Sequence, residues 1–319
     1  MEVDQEVRVG ESRKTAGDDL RCSTWARMNA VDPVATAGAY RGYLLVEWPL
    51  PWPGDAAEVD GLAGAAELAS ASGFRLQLLA PAARPATGAA ATRLRVAVYR
   101  WNGSGFAGRE ETPPARQVAA VVRELLADPG SGSPLDAGAT DVLVCGHGSR
   151  DRCCGSLGTR LAAEVSESPP GPGDGVRWWR TSHTGGHRFA PTALLLPAGT
   201  LWANLDRALL SGVIGETLDP AEAARHYRGC AGVGPREVQA IEREVLALEG
   251  WGLLAAARRG EALGGRRFRL IVGTGDSARA FEAEVAVGRE LLVPVCGAPV
   301  SAARKTEAEL VVRGLALVA

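Results

Sequence analysis

No stretch of this sequence approaches the ~18 consecutive apolar residues that a membrane-spanning helix needs, so no membrane partner is expected. Its first residues, MEVDQEVRVGESRKTAGDD, are polar and acidic. No basic segment runs into an apolar one there, so no signal peptide is expected and a cytoplasmic location follows. The formal net charge is only -2, which gives no general case for nucleic acid or an anionic membrane. Aromatic residues are few, at 5% of the chain. The six cysteines lack the even spacing of a disulfide framework, and no Cys-x-x-Cys occurs. Cysteines clustered in a reducing compartment point instead to metal binding or catalysis. The glycine loops GVGP and GTGDS sit in no strand-to-helix fingerprint for phosphate.

What is present is apolar mass and periodicity. Hydrophobic residues make up 46% of 319 positions, enough for two domains of ordinary size. Residues 1–20 read as a mobile leader, and Cys22 to Tyr40 as mostly irregular. Tyr43 to Trp48 and Phe74 to Ala80 read as strands, separated by Ala56 to Ala71, which has helical composition weakened by glycine. Arg93 to Trp101 alternates like a strand and is expected to pair with FAGREET across an NGSG turn. Ala115 to Ala127 carries apolar residues at helical spacing. After the linker-like GSGSPLDAG the pattern restarts. DVLVCG is a strand ending at Cys145, Ser156 to Glu167 a helix, VRWWRTSH a strand ending at His183, and TALLLPAG and TLWANL further strands, with a short helix near Leu209. Asp219 to Leu248 reads as helical, opened by Asp219-Pro220. The remainder is strand-like. The expected fold class is therefore α/β, with units at 21–130, 136–250 and 251–319. The repeated order of strand, helix, strand, strands and helix fits a thioredoxin-like unit preceded by a second α/β unit, with a degenerate internal copy as one reading of it. A helical extension and a β-rich tail follow.

The chemistry is concentrated between Cys145 and His187. Three of six cysteines and three of four histidines fall within these 43 positions. Eight residues separate Cys145 from Cys154, and three separate His183 from His187. Gly185 and Gly186 favour a turn that points both imidazoles at one place. Two sulfurs and two nitrogens suit a tetrahedral zinc or a mixed-ligand 2Fe–2S cluster. Spacing leaves both open: zinc is the simpler reading, and the long cysteine loop is better suited to a dinuclear cluster.

CGHGSRDRCCG followed by WRTSHTGGHRFAPTALLLPAGTLW resembles the sucrase/ferredoxin-like family, and the likeness extends from about Cys22 to the HYRGCAG segment. It implies a thioredoxin-like ferredoxin domain with a 2Fe–2S cluster held by Cys145, Cys154, His183 and His187. It further implies an electron carrier with an unknown redox partner protein, more than an enzyme with its own substrate. Two ferric ions, two sulfides, two thiolates and two neutral imidazoles sum to zero charge, whereas four thiolates would leave minus two. The mixed set should therefore accept an electron more readily, as Rieske centres do at roughly -150 to +300 mV. Its potential should fall with rising pH in the alkaline range. No carboxylate pair supports the glycosidic cleavage that "sucrase" implies.

Rival readings attach to single residues. Cys153 competes with Cys154 as ligand, although the family pattern and Gly155 favour Cys154; otherwise Cys153 is a bystander thiol. His147 makes half of a Rieske signature with Cys145 and reads as a supporting donor or loop residue. Ser182 beside His183 lacks a nucleophile elbow. Arg188 is placed to neutralise charge at the site, to dock a partner, or simply to be solvated. Trp178 and Trp179 read as core packing, with shielding of the site as the alternative. Cys22, Cys230 and Cys296 stand far apart and carry no role. Against the electron carrier stand a structural zinc protein using the same four ligands and a metal-free thiol oxidoreductase using Cys153 and Cys154. Adjacent cysteines pair only through a strained ring, which disfavours the last.

Overall fold

A computed structural model describes residues 20–62, 64–81, 93–136, 138–169 and 175–318. The expected leader over residues 1–20 lies, apart from Leu20, outside the described residues. The chain first forms α1 (Cys22–Met28), where irregular structure was expected. Its N-cap, Arg21, makes no side-chain capping bond. Tertiary contact holds the helix instead, with Trp25 and Ala26 packed on Phe189 and Ala203.

Leu44, Leu45 and Val46 offer no polar side chain, so their strand, β1 (Gly42–Glu47), needs cover on both faces and is buried on both. Two single 3-10 turns and α2 (Ala65–Ala71) carry the chain to β2 (Phe74–Pro81), parallel to β1. The expected helix over 56–71 shrinks to its last turns. Gly64 adopts φ +77°, and a side chain at Gly61 would strike the Trp48 ring. β3 (Val96–Trp101) pairs antiparallel with β1, and β4 (Phe106–Glu111) with β3. α3 (Val118–Ala127) and the short β5 (Ser133–Pro134) follow.

The plan then repeats. β6 (Thr140–Cys145) leads through α4 (Thr159–Glu167) to the parallel β7 (Val176–Thr181). β8 (Ala193–Leu196) pairs antiparallel with β6, and β9 (Thr200–Trp202) with β8. β2 and β7 join antiparallel, Leu79 facing Thr181. The mixed sheet therefore runs β9-β8-β6-β7-β2-β1-β3-β4, the same order read outward from the seam in either direction. The units expected at 21–130 and 136–250 share this one sheet. It bends enough that Phe106, at the start of β4, donates its N–H to Pro197 O at the β8–β9 turn. Tyr43, Leu45, Leu79, Leu143, Leu194 and Leu201 fill the enclosed face.

At the seam, buried Asp141 accepts bonds from Arg95, Tyr99, Arg177 and Trp179. Trp179 is thus part of an ion network, and Trp178 is partly buried against the apolar core that Val142, Val144 and Leu161 belong to.

α5 (Arg207–Ile214) and α6 (Pro220–His226) begin on the capping aspartates Asp206 and Asp219. The segment expected to be helical from 219 to 248 is then interrupted. Tyr227 to Cys230 form β10, which extends the sheet beyond β9 before α7 (Arg236–Glu249) and α8 (Gly252–Ala255). The β-rich tail is a separate antiparallel sheet of β11 (Arg258–Gly264), β12 (Arg267–Val272), β13 (Arg279–Leu292) and β14 (Thr306–Val318). Leu270, Phe281 and Val285 pack it on Val238, Ile241 and Val245 of α7. The fold is α/β with a β-rich C-terminal sheet. Among the described residues no helix is long and apolar enough to cross a membrane.

Candidate metal centre

Cys145 is the last residue of β6 and fully buried. The chain leaves the strand through a loop that glycine makes possible. A Cβ on Gly155 would stand 2.4 Å from the Gly148 Cα, and one on Gly158 would stand 1.8 Å from the Cys145 carbonyl oxygen. The helical segment after this loop can therefore press directly on the strand end. It starts with one π-helical turn, Cys154–Gly158, a local form common at functional sites. Asp151 caps it, its Oδ1 accepting from the N–H groups of Cys153 (2.8 Å) and Cys154 (3.3 Å). Successive residues on a helical turn point about 100° apart, so the two cysteines face different neighbours.

Cys154 faces Cys145 and His183. The Nδ1 of His183 lies 3.9 Å from the Cys145 sulfur and 3.8 Å from the Cys154 sulfur. The ligand atoms of these three residues all lie within 4.8 Å of one another. Cys145 is held well below the ordinary thiol range, first by the thiol of Cys154, then by His183 and the Thr184 N–H. Cys154 is correspondingly raised, because it donates to Cys145 and is buried.

His183 sits two residues past the end of β7. Its carbonyl accepts from Arg75 Nη2 at 2.7 Å and Gln77 Nε2 at 3.3 Å, both on β2. Its N–H donates to His147 Nδ1 at 3.1 Å, while His147 Nε2 donates to Pro53 O at 2.7 Å. Burial lowers the His147 pKa and so favours this neutral tautomer. His147 is thus a supporting residue. Ser182 is also structural: its Oγ accepts the Leu78 N–H.

The turn to His187 uses left-handed Gly185 and Gly186. Beneath it lies fully buried Arg228, which donates to Gly185 O and Thr36 O. Burial brings its pKa down to about 10, so it is charged at neutral pH. The His187 ring is 5.9 Å from that of His183, centroid to centroid. Its Nδ1 turns to Asp151 Oδ2 (3.3 Å) and the Cys22 sulfur (3.2 Å). His187 therefore stands beside the group of three, outside the set whose ligand atoms lie within 4.8 Å. The solvated alternative for Arg188 fails: the residue is buried, stacked on Phe189 and paired with Glu307 on β14.

Cys153 faces a second group that the sequence did not reveal. Its sulfur is 3.6 Å from that of Cys22 and 3.1 Å from that of Cys296, which are themselves 3.3 Å apart. With Asp151 these atoms again lie within 4.8 Å of one another. Separations of 131 and 143 residues from Cys153 hide such a cluster from spacing arguments. Asp151 was the readable member, since Asp two or three residues before a helical run is a capping signal. Cys230 joins neither group and is buried near Ala198 O.

Residues 33–229 match the family described as Sucrase/ferredoxin-like. No curated protein and no solved structure matches the chain.

Proposed function

Because the chain belongs to the sucrase/ferredoxin-like family, we propose that it is an electron-transfer protein carrying a 2Fe–2S cluster on Cys145, Cys154, His183 and His187. The observation that carries this reading is the convergence of Cys145, Cys154 and His183 on one buried point at the end of β6, with His187 beside it. The donor set fits the group. Two thiols, one already favoured as thiolate, supply soft anionic ligands, and two imidazoles supply neutral ones. The His187 Nδ1 beside the Asp151 carboxylate leaves Nε2 for a metal, the usual arrangement of a ligating histidine.

When bound, such a cluster accepts and returns one electron. The chain's own residues set the conditions. Burial of both sulfurs keeps water from them. His147, Arg75 and Gln77 fix the backbone of His183. The Arg228 charge beneath the histidine turn favours gain of an electron. His183 lines a cleft of about 310 Å³ with Tyr40, Arg75, His147 and Arg150. This is our candidate face for electron exchange with a protein partner, and its two arginines suit an acidic one.

Purification without oxygen, followed by absorption spectroscopy and iron, sulfide and zinc analysis, tests the proposal. Brown protein with two irons and two sulfides per chain supports it. Colourless protein whose zinc disappears with Cys145→Ser would make the site a structural zinc site. A potential that does not move with alkaline pH would exclude two accessible imidazole ligands.

A further inference from the structure

The second thiol group has the features of a metal site. Three thiols and a carboxylate from three remote segments meet at one point: Cys22 opens α1, Asp151 and Cys153 lie in the loop after β6, and Cys296 lies between β13 and β14. Cys22 and Cys296 fall outside residues 33–229, the stretch that matches the family. Cys22, Cys153 and Asp151 are buried, whereas Cys296 is half-buried. Such a concentration of anionic donors away from water requires a compensating cation or retained protons.

We propose that Cys22, Cys153 and Cys296, with Asp151 as the fourth donor, form a second metal site for one soft divalent cation of the zinc class. Three thiolates and one further donor match the ligand number of a closed structural zinc site, and zinc also binds carboxylate oxygen. Thiolates bound at ~2.3 Å in a tetrahedron stand about 3.8 Å apart. The triangle of 3.1, 3.3 and 3.6 Å thus has to open only slightly. A disulfide explains the group less well. Any pair would leave the third sulfur and Asp151 buried against it, and no pair is set apart by distance.

Supporting contacts are in place. The Ser23 hydroxyl donates to the Cys153 sulfur at 3.2 Å, and the Cys22 N–H donates to the Cys296 sulfur at 3.4 Å. Asp151 is held through Oδ1 by the Cys153 and Cys154 N–H groups, and His187 Nδ1, 3.3 Å from its Oδ2 and 3.2 Å from the Cys22 sulfur, stands between this group and the first. Metal-bound sulfurs commonly receive such bonds. Entry is open as well: Cys296 lines a cleft of about 480 Å³ together with Arg21, Arg152 and Ser156. Binding would release the thiol protons to solvent through this cleft. Bound metal would tie the first helix and the C-terminal sheet to the loop that carries Cys154. This inference does not rest on the iron assignment.

The test is metal analysis of the full-length protein, purified without chelator and supplied with zinc alone, with Cys22→Ser, Cys296→Ser and Cys145→Ser beside it. The expected result is one zinc per chain that either of the first two variants releases. Zinc affinity should fall by more than the ~10–100-fold typical of losing a mere supporting partner. Iron, sulfide and visible absorption, where present, should remain in those variants and vanish in Cys145→Ser, which keeps its zinc. Cobalt exchanged into the wild-type protein should show thiolate-to-cobalt charge transfer that Cys296→Ser weakens, a readout that survives if Cys22→Ser does not fold. Three outcomes overturn the proposal: a Cys22–Cys296 disulfide in protein without zinc, zinc unchanged in both variants, or iron lost together with zinc, which would make the two groups one larger cluster.

Discussion

Cys153 and Cys154 are covalent neighbours with separate fates, because the helical turn that starts at Asp151 aims them apart. Cys145→Ser should therefore abolish the iron-dependent absorption, whereas Cys153→Ser should leave it and remove zinc; metal analysis of both variants checks the assignment. Spacing had paired Cys145 with Cys154, and the geometry puts these two sulfurs with His183. The resemblance implied His187 as a ligand; the structure puts its ring beside that of His183 and its Nδ1 against Asp151, a contact no spacing records. Asp141 allows a pH prediction. Burial opposes its charge, yet Arg95, Tyr99 and Arg177 outweigh burial and hold the carboxyl below its ordinary value. A carboxylate depressed in the folded state stabilises the fold above its unfolded pKa of ~3.9. That contribution is lost as pH falls through the lower, folded value. Asp141→Asn should cost about 1–3 kcal/mol at neutral pH, since buried Arg95 and half-buried Arg177 lose one carboxylate and keep Glu110 alone. Urea unfolding at neutral and acid pH should show the gap to wild type narrowing in acid.

The strand end, the glycine loop and the π-helical turn form one element, and its tolerance is set by contact. Nothing between Cys145 and Gly158 can yield, because the obstructing atom is a backbone oxygen. Gly158→Ala should destabilise by about 1–3 kcal/mol, the usual range for overpacking. It should also lower cluster occupancy, read as absorbance per chain after anaerobic reconstitution. Gly252, which a Cβ would leave in open space, supplies the control. Gly155 was read in the sequence only as a residue favouring Cys154 as ligand; the backbone atoms that Gly155 and Gly158 approach were not visible there. Likewise the helical composition of 56–71 was real, and only Gly61 against Trp48 and the left-handed Gly64 show why the helix starts late.

Across the molecule, the tail is joined to the rest by buried ion pairs as well as by apolar packing. Arg258 on β11 meets Glu242 on α7 at 2.8 Å, with both side chains fully buried. Arg258→Met should leave Glu242 uncompensated and cost about 3–5 kcal/mol, while the double change to Arg258→Met with Glu242→Leu should recover much of the loss. Denaturant midpoints of the three proteins test this. Arg188 bonded to Glu307 makes a second link, from the residue after His187 to β14. The tail that had no reading of its own therefore helps to hold the histidine turn.

Local pattern was enough to identify most strands, most helices, the α/β class and the two spaced ligand pairs. Each depends on neighbours a few residues apart, and alternation, glycine placement and ligand spacing record such neighbours directly. The antiparallel seam of β2 and β7, the strand at Tyr227 to Cys230 and the meeting of Cys22, Cys153 and Cys296 were decided only when the sheet curled and the C-terminal sheet packed on α7. Those contacts join residues far apart in the chain, and their partners are chosen by shape, burial and charge compensation, which no local spacing encodes.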